Sequence, residues 1–418
     1  MRKEVNKSKV PKLRFKGFTD DWMQYKLSDF YTFSNGINTA KENYGKGSKM
    51  ISVMDILSEN YLFYNNIISS VEVSERIELN SKVERNDLVF VRSSETREEV
   101  GWSKVYRDKN YSLFSGFVIR GSNKSNINSF FVELSLNYKN RKEIERKANG
   151  STRYNISQKS LENIELIAPK LTEQEILTQF IEKLDSIITL EQEKLAQYTH
   201  FKNSLLQKIF PKKHQNKPEL RFIGFNKNWI NIQLGDIVTL KNGYSFKSNS
   251  YVKNGRYKVI TISNVKGALT VDTTEVNKIN NLPENIQSHQ MLNIGDILIS
   301  MTGNVGRVSV VDEENTILNQ RVGVLVPKSV NLDKNFILSI LQTSKFEQSM
   351  INKGQGAAQL NIGKKDIEGF QFMVPYSSKE RKLIGEKIIL LNNIISDLQS
   401  NNKLYKKLKQ SLLRNLFI

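Results

Sequence analysis

The sequence contains no cysteine, which removes disulfides, thiolate metal sites and cysteine nucleophiles together and fits a reducing cytosol. Histidine occurs three times, at His200, His214 and His289, scattered along the chain, so neither a metal site nor a Ser-His-Asp triad is expected. Pro-Pro is absent, and with it the Asn/Asp-Pro-Pro-aromatic motif by which adenine methyltransferases hold a flipped base. No GxGxxG cofactor loop occurs, and Gly45–Lys49 (GKGSK) has the letters of a phosphate loop in the wrong spacing. Glu145-Arg146-Lys147 offers the Glu-x-Lys of a nuclease core. It lies in a charged helical run (NRKEIERK) with no upstream Pro-Asp, however, and reads as a solvated helix face. No stretch approaches the 18 apolar residues of a spanning helix, and Met1–Val10 lacks the apolar core of a signal peptide. The expectation is a non-catalytic, cytoplasmic chain with no metal and no cofactor of its own.

What is present is positive charge and a repeat. A formal charge of +19 and a pI near 9.6 favour a polyanionic partner, nucleic acid before an acidic membrane surface. At 418 residues the chain exceeds the size of one growing core, so two domains are expected. Pro11–Trp22 (PKLRFKGFTDDW) returns 207 residues later as Pro218–Trp229 (PELRFIGFNKNW), followed by Asn35-Gly36 against Asn242-Gly243. Each half closes on a matched signature, Asn155-Ile156 through Pro169 and Asn361-Ile362 through Pro375. Phe201–Phe210 (FKNSLLQKIF) recurs as Leu408–Phe417 (LKQSLLRNLF).

The repeated ends belong to long amphipathic helices beginning near Glu173 and Glu380. Apolar residues at Ile181, Leu184, Ile188, Leu195, Tyr198, Leu205 and Ile209 keep the 3-4 spacing of a single helical stripe. Ile388, Leu391, Ile395, Leu398, Tyr405, Leu412 and Leu416 repeat it. A helix with one apolar stripe needs a partner, and the simplest partner is the other copy. Glu191, Lys202, Asn402 and Lys409 on the seams would select register, a Glu facing a Lys being the simplest case. The expected division is a mobile N-terminus at 1–10, globular domains at 11–170 and 218–376, long helices at 171–210 and 377–418, and a linker at 211–217.

The interiors read as α+β. Strands are expected at Asp87–Arg92, Tyr257–Ile262, Asp296–Ser300 and Val322–Val326, and helices at Phe130–Lys147 and Lys334–Ile351. Between these landmarks the halves share little identity: Ser93–Gly101 (SSETREEVG) answers to Met301–Gly306 (MTGNVG). A shared scaffold with divergent interiors implies two different recognition tasks. Polar loops near strand ends supply the candidate DNA contacts, because Arg, Asn and Gln can make paired hydrogen bonds to a base edge while Lys meets phosphate. In the first half these are Arg92, Ser93, Arg97, Lys104, Arg153 and Tyr154. In the second they are Tyr244, Lys247, Thr302, Asn304, Arg307, Gln320, Arg321, Gln355 and Gln359. Gly303, Gly306, Gly354 and Gly356 would let backbone approach closely. Trp22 and Trp229 read as core.

The LRFxGFxxxW opening of both halves, DILISMTGNVG, QLNIGKKDIEGFQFMVP and the long helix ending SLL resemble the specificity subunit of type I restriction-modification enzymes. The resemblance covers nearly the whole chain. It implies two α/β target-recognition domains in tandem pseudo-twofold repeat, separated by two long helices forming an antiparallel coiled coil. It implies a bipartite, asymmetric double-stranded DNA site with a nonspecific spacer. It further implies two docked methyltransferase subunits using S-adenosylmethionine and two restriction subunits using ATP and Mg2+. The first half departs locally, having no counterpart of MTGNVG in length or chemistry. The other readings kept open are a nonspecific DNA-binding coiled-coil adaptor and a fragment of a fused restriction-methylation enzyme.

Overall fold

The computed structural model describes residues 10–212, 214–328, 333–354 and 360–418, so nearly all of the expected mobile N-terminus lies outside the described residues. The chain forms two compact units, Met1–Thr189 with Lys403–Ile418, and Leu190–Asn402. Each unit therefore contains one globular domain, the first part of that domain's own long helix and the last part of the other helix.

In the first unit, β1 (Tyr31–Asn35), β2 (Leu88–Val91), β3 (Ser103–Val105) and β4 (Val118–Asn123) form an antiparallel sheet in the order β1-β4-β2-β3. The β2 sequence LVFV is buried on both faces, and side chains of a strand alternate between faces. Leu88 and Phe90 join a core that includes Leu177, Ile181, Leu413, Leu416 and Phe417 of the long helices. Val89 and Val91 join a second core with Ile51, Ile56 and Phe114. The second unit repeats the plan with β5 (Val238–Asn242), β6 (Ile297–Ser300), β7 (Val308–Val310) and β8 (Val322–Pro327) in the order β5-β8-β6-β7. There Ile297 and Ile299 face the core shared with Leu206, Ile209, Ile384 and Ile388. Leu298 faces Ile260 and Leu318. Trp22 and Trp229 are both buried, as their repeat position suggests.

The long helices are α1 (Leu171–Ile209) and α2 (Ser378–Leu416), 39 residues each. Their relative direction can be followed inside each unit. In the first, Arg14 grips Glu173 at the start of α1 through Nε and Nη2, both at 2.8 Å. The adjacent Leu13 N–H bonds the carbonyl of Asn415 at the end of α2. Further along α1, Asp185 meets Lys409 at 2.5 Å, so the segments run antiparallel. In the second unit, Arg221 grips Glu380 at the start of α2, while Leu220 N–H bonds the carbonyl of Lys208 at the end of α1. Every partner is displaced by 207 residues from its counterpart.

Three expectations are corrected. The run Phe130–Lys147 is three segments, Ser129–Leu134, a π-helical Ser135–Lys139 and Arg141–Lys147. The run Lys334–Ile351 breaks after Leu341 and restarts at Ser344, where the Thr343 hydroxyl accepts from Phe346 N–H. Tyr198 of the expected stripe is 39% exposed, whereas Ile209 of the same stripe is buried together with Leu206.

The polar seam also differs from the simplest pairing. Glu191 pairs with Lys194 one turn on, and Lys409 takes Asp185. Lys202, the counterpart of Lys409, has no such carboxylate, because the position matching Asp185 is Asn392, which donates to Gln342. Burial alone pushes the Lys202 ammonium down to about 8. Burial opposes the charged form, so Lys202 costs the fold stability while it is protonated in both states, and the cost is relieved as pH rises from about 8 towards the unfolded value. Lys202→Leu is therefore expected to raise stability by about 1–3 kcal/mol at pH 7 and to abolish the gain between pH 8 and 10, measured by thermal unfolding.

Candidate nucleic-acid interface

The two units share one backbone framework at the far end of their sheets. Tyr244 N–H bonds the carbonyl of Leu318 and Asn319 N–H that of Ile260, as Ile37 bonds Phe114 and Ser115 bonds Ile51. Met301 N–H bonds Arg321 and Ile362 bonds Met301, as Arg92 bonds Phe117 and Ile156 bonds Arg92. The adjoining loops rejoin the sheet identically, Gly101 N–H bonding Val91 and Gly306 bonding Ser300, with φ of +70° and +78° that favour glycine. The repeated Asn-Gly has a steric origin: a Cβ on Gly36 would lie 2.0 Å from the Ser115 carbonyl oxygen, and one on Gly243 would lie 2.3 Å from that of Asn319.

On this common frame the side chains differ. Position by position, Ile37 answers to Tyr244, Arg92 to Met301, Gly116 to Gln320 and Phe117 to Arg321. In the first unit, Arg92 Nη1 donates to the Gly116 carbonyl at 3.2 Å, and the exposed Arg153 guanidinium lies 5.3 Å from the Phe117 ring. Arg97 lies 5.5 Å from the Tyr154 ring, and Tyr154 pairs with Ser94. Arg92, Arg97, Arg153 and Tyr154 thus come together. Ser93 does not join them as a free hydroxyl: it is 8% exposed, in a ribbon register with Asn155. Lys104 is withdrawn from the set, because its buried ammonium donates to the carbonyls of Asp55, Ser58 and Asn60 and to the Ser58 hydroxyl. Burial pushes its pKa down.

In the second unit, Tyr244, Gln320, Arg321 and Thr302 gather around the same frame. Gln320 N–H bonds the Tyr244 carbonyl, and Gln320 and Arg321 present exposed side chains. The Tyr244 hydroxyl donates to Asn285, and the Thr302 hydroxyl donates to Asn361 at 3.1 Å. Asn304 and Lys247 are exposed nearby in sequence. Arg307 turns aside to donate to the Lys266 carbonyl. Gln355, Gln359 and Gly356 lie outside the described residues.

Sequence reasoning missed Phe117 and its neighbour Met54, 51% and 75% exposed. Aligning LFSGFV (113–118) with ILNQRV (317–322) would have found Phe117, but only one residue is identical and the shift there is 204. Among the described residues no cluster of His, Asp and Glu could hold a metal, and no helix is long and apolar enough to cross a membrane.

An α+β domain followed by a long helix is thus present twice, with different polar and apolar side chains set on one matched loop frame. The type I restriction modification DNA specificity domain family matches residues 19–200 and 226–413, and the chain belongs to that family. It is 22% identical to the type I restriction enzyme MjaVIII specificity subunit of Methanocaldococcus jannaschii, over 99% of this chain and 94% of that one. Its fold is similar to the S subunit of a type I restriction-modification system from M. genitalium, at 16% identity with a TM-score of 0.59, covering 98% and 99% of the two chains. A chain from a structural study of complex assembly in the type I R-M system matches at 15% identity and a TM-score of 0.55, covering 95% and 97%. The chain recognises DNA for a restriction-modification complex and is itself non-catalytic.

Proposed function

We propose that the two units read the two halves of a bipartite, asymmetric double-stranded DNA site, leaving a spacer unread between them. The observation that carries this reading is the duplicated backbone frame with its exchanged side chains. The same hydrogen bonds serve both halves, while Phe117 faces solvent in one and Arg321 in the other, so different base edges are met.

Two methyltransferase subunits are the expected partners, each binding S-adenosylmethionine, with two restriction subunits supplying ATP- and Mg2+-dependent steps in the cytoplasm. Exposed apolar residues recurring at the repeat distance support a partner bound twice: Leu13 with Leu220, Met23 with Ile230, and Leu408 with Phe201. Leu408 precedes the helix residue whose carbonyl bonds Leu13 by seven positions, and Phe201 stands in the same relation to the residue bonded by Leu220. Folding alone does not require a large apolar side chain to stay exposed at both copies of a position.

The helices would set the spacer. Inserting seven residues into both α1 and α2 adds about 10 Å, or about three base pairs. Mapping the methylated site of such a variant is expected to show a longer spacer between unchanged half-sites. Altered half-site sequences would refute the ruler.

A further inference from the structure

We infer that Phe117, with Met54 beside it, reads the 5-methyl group of a thymine in the half-site of the first unit; this rests on the two-half-site reading above. Phe117 and Met54 line one cleft with Tyr44 and Asn38. The Phe117 backbone is fixed from both sides, since its carbonyl accepts from Arg92 N–H and its neighbour Val118 N–H bonds the Ser115 carbonyl. Its ring packs under Arg153, yet half of it remains open to solvent. Gly116 lets the Asn38 side chain close against the backbone here, because a Cβ on it would lie 1.8 Å from Asn38 Oδ1.

The comparison within the chain shows that the fold does not require this apolar surface. Ser52 N–H and hydroxyl both bond Asp55, as Thr261 N–H and hydroxyl bond Asn264, which places Met54 against Ser263. Phe117 stands against Arg321. Two matched positions are thus apolar together in the first unit and polar together in the second. Arg92, Arg97 and Arg153 close by supply the charge that holds phosphates at this face. The thymine methyl is the apolar group among the base edges of the major groove, and apolar side chains recognise it there.

The test uses the full chain assembled with its methyltransferase subunits. Once the methylated site is mapped, duplexes carrying it are made with each thymine replaced in turn by deoxyuridine, which removes only the methyl. One position in one half-site is expected to weaken binding about fourfold. Phe117→Ala is expected to bind the thymine duplex as weakly and to ignore the replacement, Phe117→Leu to keep part of the discrimination, and Arg321→Ala to keep all of it. A bipartite map in which no thymine responds, or in which Phe117→Ala weakens binding while the uracil duplexes bind normally, overturns the inference and leaves the two-half-site reading intact. The second pattern would mark Phe117 as a wedge between base steps. A map with no second half-site removes both.

Discussion

Replacing Gln320 and Arg321 together by alanine is expected to weaken binding of the assembled enzyme to its cognate duplex by about 10- to 100-fold, because a well-placed paired hydrogen bond to a base is worth about 1–3 kcal/mol. Both side chains are exposed, and their backbone is held by bonds to Tyr244 and Met301 that the substitutions leave in place, so the fold should survive. The loss should be confined to one half-site. Competition with duplexes mutated in either half separates the cases: after the substitution, changes in one half-site should cease to matter while changes in the other retain their full penalty. A uniform loss across sequences would instead assign these residues to phosphate.

The largest expected effect on stability lies at the clamp between domain and helix. Glu380 has a side chain only 1% exposed, and it accepts from Arg221 Nε at 2.7 Å, Arg221 Nη2 at 2.9 Å and Trp229 Nε1 at 3.3 Å. Glu380→Ala leaves a half-buried guanidinium with only the Lys227 carbonyl to accept from it and an indole N–H with no acceptor, which costs up to about 3–5 kcal/mol for the broken ion pair. Glu173 is bound by Arg14 in the same way but receives no bond from Trp22, whose indole nitrogen is buried and unpaired. Glu173→Ala is therefore the smaller loss of the two. Urea unfolding of the full chain measures both, and a loss under about 1 kcal/mol for Glu380→Ala would mean that the pair behaves as a surface one.

The parts of this molecule legible in the sequence are those where both copies obey the same constraint. The LRFxGF opening carries Arg14 and Arg221, and each arginine has its glutamate at the head of a long helix. The tryptophans are core because each packs against its own domain. The strand β2 and residues Ile297–Ile299 of β6 are continuous apolar runs because cores cover both their faces. Correspondence between the matched loops is hidden, because it shifts along the chain: Arg92 answers to Met301 at 209 residues and Phe117 to Arg321 at 204. Loop insertions move the frame while the hydrogen bonds keep it, so identity in letters disappears where identity in backbone remains.

Lys104 was misread for a related reason. A basic residue in a short strand looks available, yet the carbonyls at the end of the 53–57 helix form a cage for its ammonium. At Tyr198 the expected stripe is exposed although Leu206 and Ile209 further along are buried, so 3-4 spacing fixes a face without saying that every turn of it is covered. The same limit applies to Lys202 and Lys409: the letters are equal, and only the neighbour, Asn392 in one case and Asp185 in the other, decides whether the charge is matched.

The central claim is that one frame, used twice, meets two different sequences. Genome-wide mapping of methylated bases in a host carrying this chain, beside one carrying the Gln320→Ala, Arg321→Ala form, tests it most directly. The account predicts a split motif with unlike halves in the first host and a motif degenerate in one half alone in the second. A single uninterrupted motif, or equal degeneration of both halves, would contradict it.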